Sequence, residues 1–243
     1  MVSKSQLKLI TSLKQKKYRD KHQMFLAEGP KVVQELCQSG LKTYAIYTTE
    51  ALNVDEPFVF VSDAELKKMS LLKTPNTVVA IFYKPTLPDY VSNGITLVLD
   101  EINDPGNLGT IIRLCDWFGI TNLICSHNTV DCYNPKVIQA TMGSIARVQL
   151  YYKDLVSFLE DKTASTVVYG AFMEGDNVYK TQLAKECVLV MGNEANGISP
   201  SVERQISHKI TIPQFGNLHE TESLNVATAT AILLSELQRS TEM

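Results

Sequence analysis

Three polar stretches of this chain hold the residue types that ligand binding and catalysis need. The first is Asp100-Glu101-Ile102-Asn103-Asp104-Pro105-Gly106-Asn107-Leu108-Gly109, which runs into Thr110-Ile111-Ile112-Arg113. Asp104 and Asn107 are candidate helix N-caps, and the glycines permit tight backbone. Arg113 then falls a turn or two into the helix, where it either meets a ligand or pairs with Asp116. The second stretch is Gly192-Asn193-Glu194-Ala195-Asn196-Gly197-Ile198. Two glycines let backbone approach a ligand closely, and Glu194 either orients that ligand or a neighbouring loop, or is a solvated turn residue. The third runs from Ile212-Pro213-Gln214 through Phe215-Gly216-Asn217 to Ser223-Leu224-Asn225-Val226-Ala227. Ser223 reads as the N-cap of the last helix, which puts Asn225 in the first turn beside free backbone donors. Asn134-Pro135 and Thr141-Met142-Gly143-Ser144 either supply a wall or, as their spacing favours, are simply a helix start and a helix stop.

Other chemistries fit poorly. The first loop lacks the G-x-G-x-x-G fingerprint and the Lys-Ser/Thr of a P-loop, and no G-x-S-x-G elbow occurs. His22, His127, His208 and His219 are scattered without metal-ligand spacing, so no metal is expected. The five cysteines include no C-x-x-C pair; they read as reduced thiols and place the chain in a reducing cytoplasm.

The elements that must position these loops follow from hydrophobic pattern. Apolar runs at 95–99, 122–125, 148–152, 166–172, 187–191 and 209–212 read as strands. Helical patterns at 107–118, 135–142, 155–159 and 224–237 separate them. Continuously apolar strands alternating with helices mean a parallel sheet covered on both faces, with ligands bound at its carboxyl edge. Upstream, strands at 25–29, 44–48, 58–61 and 78–82 and helices at 5–17, 30–37 and 64–69 make a small α/β module. The stretch 84–94, with Pro85, Pro88 and Gly94, reads as a linker. The expected division is 1–88, a linker at 89–94, and 95–243.

The chain has 243 residues and a net charge of −3. Residues 1–92 carry 13 basic and 9 acidic side chains, whereas the remainder is acidic. Lys4, Lys8, Lys14, Lys16, Lys17, Arg19 and Lys21 face only Asp20 at the N-terminus, either as a solvated helix face or as a contact for a polyanion. No apolar run is long enough to span a membrane, and the N-terminus reads as lacking a secretory signal.

Together the loops resemble the SpoU/TrmH family of RNA ribose 2′-O-methyltransferases, in the SPOUT class. The resemblance rests on Asp104-Pro105-Gly106-Asn107-x-x-x-x-x-Arg113, on Gly192-x-Glu194-x-x-Gly197, and on Ile212-Pro213 followed by Ser223-Leu224-Asn225-Val226. Phe25-Leu26-Ala27-Glu28-Gly29 resembles the start of that family's RNA substrate-binding domain, itself similar to small ribosomal RNA-binding proteins. The resemblance implies a C-terminal domain with a deep trefoil knot. It implies S-adenosylmethionine held by Gly192, Ile212 and Leu224, with Thr141, Glu194 and Gly197 nearby, and a homodimer formed through this domain. Arg113 would be the catalytic residue, with Asn107, Glu194, Ser223 and Asn225 holding it and the target nucleotide. Lys14, Lys16, Lys17, Arg19 and Lys21 would grip the RNA, ribosomal rather than transfer RNA. Two departures stand out: Ala227 where the family often has Ser, and the acidic His219-Glu220-Thr221-Glu222. The competing readings are a non-catalytic RNA-binding or ribosome-assembly factor and an α/β enzyme of small-molecule metabolism.

Overall fold

The computed structural model describes residues 2–162, 166–216 and 223–242. The acidic stretch at 219–222 lies outside them. The chain forms two compact units, and these do not follow chain order: Asp131–Arg147 belongs with the first 88 residues.

The first unit begins with α1 (Lys4–Ser12), capped by a reciprocal pair in which Gln6 N–H donates to Ser3 Oγ and Ser3 N–H to Gln6 Oε1. The single helix expected over 5–17 breaks into two. Thr11 and Ser12 bond their hydroxyls back to the carbonyls of Leu7 and Leu9, and α2 (Lys16–His22) starts afresh. Then come β1 (Met24–Glu28), α3 (Pro30–Gln38), β2 (Thr43–Thr48), β3 (Val59–Phe60), α4 (Asp63–Met69) and β4 (Val78–Tyr83). The strands form one sheet in the order β1-β4-β2-β3. One face packs Ile10, Leu13, Leu26, Tyr47, Leu66 and Met69 into a core.

The second unit is the parallel sheet. Its elements are β5 (Ile95–Leu99), α5 (Pro105–Trp117) and β6 (Asn122–Cys125), then, past α6 (Pro135–Thr141) of the first unit, β7 (Gln149–Tyr152), α7 (Leu155–Glu160), β8 (Val167–Asn177), β9 (Cys187–Met191), α8 (Pro200–Glu203), β10 (His208–Thr211) and α9 (Val226–Glu242). The order is β10-β8-β9-β5-β6-β7, with every pairing parallel. All residues of β5, β6 and β9 are buried, as strands covered on both faces require. Helix α5 packs with α9, and α7 with α8. β8 runs five residues past the apolar stretch that marks it. Gly175 makes this possible: a Cβ there would lie 2.7 Å from the Lys209 carbonyl oxygen, so only glycine lets β8 lie this close to β10. Among the described residues no helix is long and apolar enough to cross a membrane.

The segment 131–147 completes the first unit around a buried charge. Arg19 is 2% exposed. Its Nε and Nη2 donate to Asp131 Oδ2 at 2.9 and 2.5 Å, and its Nη1 donates to the Leu13 and Lys14 carbonyls at 2.8 Å each. Arg19 is therefore not one of the RNA-gripping cations. Its guanidinium faces inward, satisfied by partners inside the fold. The Phe25 ring sits 4.9 Å from that of Tyr133 and 5.7 Å from that of Phe82, and Arg147 pairs with Glu35 at 3.2 Å. Cutting one partner from a buried pair leaves the other charge stranded. Arg19→Met is thus expected to lower stability by about 3 kcal/mol in urea unfolding, and Asp131→Asn to do nearly as much. A midpoint shift within error of zero for both would remove this pair from the account.

Candidate functional site

Because the sheet is parallel, β5, β9 and β10 all end on one edge, and the three polar stretches leave from those ends. Each loop is built by its own short-range bonds. In the first, the Asp104 carboxylate accepts from Asn107 N–H at 2.8 Å and Pro105 takes the first helical position, so α5 starts two residues earlier than its apolar pattern suggests. Just before it, Glu101 has φ +58, a left-handed conformation unusual for a side chain of this size. Three bonds hold it there. Its N–H donates to Ser126 Oγ at 2.9 Å, its carbonyl accepts from Asn193 Nδ2 at 2.7 Å, and its carboxylate accepts from Asn128 Nδ2 at 2.7 Å.

The second loop closes on itself. Asn193 and Gly197 exchange two backbone bonds of 2.9 and 2.8 Å, while Asn193 Oδ1 accepts from Ala195 N–H at 2.8 Å. Gly197 has φ +66, and a Cβ on Gly192 would lie 2.3 Å from the Gly197 carbonyl carbon. No other residue fits at Gly192. The loop's flank is fixed by Asp100, whose buried carboxylate accepts from Ser199 N–H at 2.8 Å.

In the third stretch Asn225, not Ser223, caps the last helix. Its Oδ1 accepts from Ala227 and Thr228 N–H at 3.0 and 3.2 Å, and α9 begins at Val226. Both are capping residue types; the helix starts after the one whose amide also has a second partner. Asn225 Nδ2 donates to Asn107 Oδ1 at 2.9 Å, and Asn107 Nδ2 donates to Glu194 Oε1. A relay of two amides and a carboxylate thus joins all three loops.

Beside this relay lies a cavity of about 1420 Å³, lined among others by Gly192, Glu194, Gly197, Ile212, Ser223 and Leu224. Phe172 and Met173 of β8 also line it. Arg113 is exposed on α5 and makes no hydrogen bond or ion pair among the described residues, so the alternative pairing with Asp116 does not form. Thr141 is not among the cavity residues. It is fully buried at the end of α6, with its hydroxyl donating to the Ile138 carbonyl at 2.8 Å. Lys14, Lys16, Lys17 and Lys21 are exposed. All five cysteines are buried and unbridged. Among the described residues no group of three or more His, Cys, Asp or Glu is placed to hold a metal ion. Asn193 and Glu101 are the structural residues that composition did not single out. The signal for Asn193 was its place at the head of a Gly-Asn-Glu-Ala turn, where an Asn side chain bonds the backbone two residues on.

A model of the SpoU rRNA methylase family matches residues 94–235, and one of the MRM3-like substrate binding domain matches residues 4–80. The 23S rRNA (guanosine(2553)-2′-O)-methyltransferase RlmP of Bacillus subtilis is 28% identical over 231 residues, 92% of each chain. The structure of a TrmH-family protein from Porphyromonas gingivalis superposes with a TM-score of 0.90 at 40% identity, over 98% of this chain and 99% of that one. An AdoMet-bound rRNA methyltransferase from Sinorhizobium meliloti superposes with a TM-score of 0.83 at 29% identity, over 98% and 97%.

The relay has one polarity, and a double-mutant cycle tests it. Asn107→Asp turns a second carboxylate towards Glu194; adding Glu194→Gln restores a donor facing an acceptor. The coupling between the two substitutions is expected at about 1 kcal/mol in urea unfolding at neutral pH. The benefit of an acid near the N-terminus of α5 is present in both proteins that carry Asn107→Asp, and it cancels. Additive effects would show that the two side chains do not sense each other.

Proposed function

The chain belongs to the SpoU rRNA methylase family, and from that premise we propose that it transfers a methyl group from S-adenosylmethionine to a ribose 2′-hydroxyl of ribosomal RNA. The observation that carries the reading is the relay from Glu194 through Asn107 to Asn225. It fixes the cavity loops to the helix that bears Arg113, a cation with no partner within the described chain. In this reading residues 1–88, completed by 131–147, bind the RNA substrate, 89–94 link, and the rest of 95–243 forms the methyltransferase domain with its knotted C-terminal segments.

The cavity suits a cofactor. The ring closed between Asn193 and Gly197, with Gly192 packed against Gly197 too closely to admit a Cβ, makes a fixed wall for a ligand. Gly192, Gly197, Ile212 and Leu224 would hold S-adenosylmethionine, with Glu194 at the rim. The cofactor supplies an electrophilic methyl carbon on a sulfonium. A ribose hydroxyl is a weak nucleophile, so the chain's task is to orient it and to stabilise the charge that grows on its oxygen. A guanidinium offers five N–H donors and no acceptor, so Arg113 is suited to donate hydrogen bonds and not to take a proton. Its guanidinium acts as a clamp on phosphate and developing alkoxide. Asn107, Glu194, Ser223 and Asn225 hold the loops and the target nucleotide around it. A homodimer through the C-terminal domain belongs to the same reading. Trp117, the single tryptophan, is 84% exposed at the end of α5, beside α9, where Gln238 donates to the Phe118 carbonyl at 2.6 Å. The working compartment is the cytoplasm, where ribosomal RNA is found.

The test is methyl transfer from labelled S-adenosylmethionine to unmodified ribosomal and transfer RNA, with product nucleosides identified. A 2′-O-methyl nucleoside from the ribosomal pool is expected. Arg113→Lys should bind cofactor as the wild type does and lose at least about a hundredfold in turnover, the scale seen when an oxyanion donor is removed. Near-normal turnover in that variant contradicts the role. Cofactor binding without transfer to either RNA, naked or in ribosomal particles, would turn the reading towards an RNA-binding assembly factor.

A further inference from the structure

With Arg19 turned inward, the basic N-terminal segment presents a different surface. Lys14, Lys16, Lys17 and Lys21 are exposed, and the one carboxylate on α1 and α2, Asp20, is held by Lys84 Nζ at 2.7 Å. Two rings lie among these lysines. Tyr18 and His22 stand one turn apart on α2, half-buried and nearly parallel at 18°, with centroids 6.5 Å apart. The Lys17 ammonium sits 4.9 Å from the Tyr18 centroid. A cation on an exposed, flexible stem marks the ring face that solvent reaches. Helix α2 is fastened by Arg19 to Asp131 and to the Leu13 and Lys14 carbonyls, so the ring platform is held before any partner arrives.

We propose that Tyr18, His22 and Lys17 form a stacking site for one unpaired nucleobase of the RNA, a proposal that rests on the RNA reading above. The base takes the Tyr18 face that the Lys17 ammonium now covers. The ammonium, with those of Lys14 and Lys21, moves to the flanking phosphates. Stacking of a base on an aromatic face between phosphate-binding lysines is how single strands are held without sequence reading. A fully paired A-form helix offers no such base, because its bases stay stacked and its major groove is too narrow for side chains. The segment therefore selects RNA with a splayed nucleotide near the target, in addition to holding its backbone.

The experiment is fluorescence anisotropy with the 243-residue chain and two labelled probes, an unstructured oligoribonucleotide and a fully paired, blunt-ended RNA duplex, across a salt series. Tyr18→Ala is expected to weaken binding of the unpaired probe by about 5- to 150-fold, and Tyr18→Phe by less than about twofold. The duplex affinity should stay unchanged in both. The salt slope should hold in Tyr18→Ala and fall by about 0.7 in Lys17→Gln, one phosphate's worth on a single strand. Ultraviolet cross-linking of iodouridine-substituted RNA to the wild-type protein should label Tyr18 or His22. That measurement decides the matter if Tyr18→Ala fails to fold. Equal losses for both probes, unchanged affinity in Tyr18→Ala, or cross-links confined elsewhere would overturn the stacking site while leaving methylation intact. A wild-type protein that binds neither probe and methylates no RNA would overturn both readings together.

Discussion

The amide of Asn225 can be oriented in only one way, and the arrangement of the site follows from that. Its oxygen is taken by the two free N–H groups at the start of α9. Only its NH2 is left to face Asn107, so Asn107 must present oxygen to it and NH2 to the far side. The far side is Glu194, which when ionised can only accept. A helix terminus at one end and a carboxylate at the other thus set the direction of every bond between them. Aspartate at 225 would cap the helix equally well but, ionised, would have no donor to extend, and the third loop would lose its tie to the first.

That relay works because the first two loops it joins are held firmly. Stiffness is supplied where the backbone is least comfortable. Glu101 sits in the left-handed region and is over-determined by bonds to its N–H, its carbonyl and its side chain. One of those bonds comes from Asn193, which also builds the turn that Glu194 rides on. The first two loops are therefore coupled twice, once through Asn193 and Glu101 and once through Glu194 and Asn107. Displacement of the second loop cannot leave the start of α5 where it was.

Much of the second unit is legible in the residues. β5, β6 and β9 are short, continuously apolar and bounded by turn residues, and that pattern has one structural meaning. The polar loops stand out because they interrupt it. What could not be read depends on distance or on degeneracy. Arg19 looks like its lysine neighbours until Asp131, 112 positions on, is brought beside it. Ser223 and Asn225 are both good caps, and the choice is made by Asn107 from another loop. The polar end of β8 has no apolar alternation; it is a strand because Gly175 lets β10 approach. The trace left in the sequence by each is a residue type with several uses.

The return of Asp131–Arg147 into the first unit bears on how such a protein can be assembled from parts. A crossover at the 89–94 linker would join one ancestor's first unit to another's second, yet the piece that neutralises Arg19 and packs Tyr133 on Phe25 would come from the wrong parent. Exchange of the substrate-binding part between lineages therefore requires two matched events, or drift at 19, 25, 131 and 133 in step. The same wiring means that on the ribosome the first unit remains open until residue 147 has emerged, by which point β5, α5 and β6 are already outside. The two units are distinct as folded bodies but not in heredity or in time.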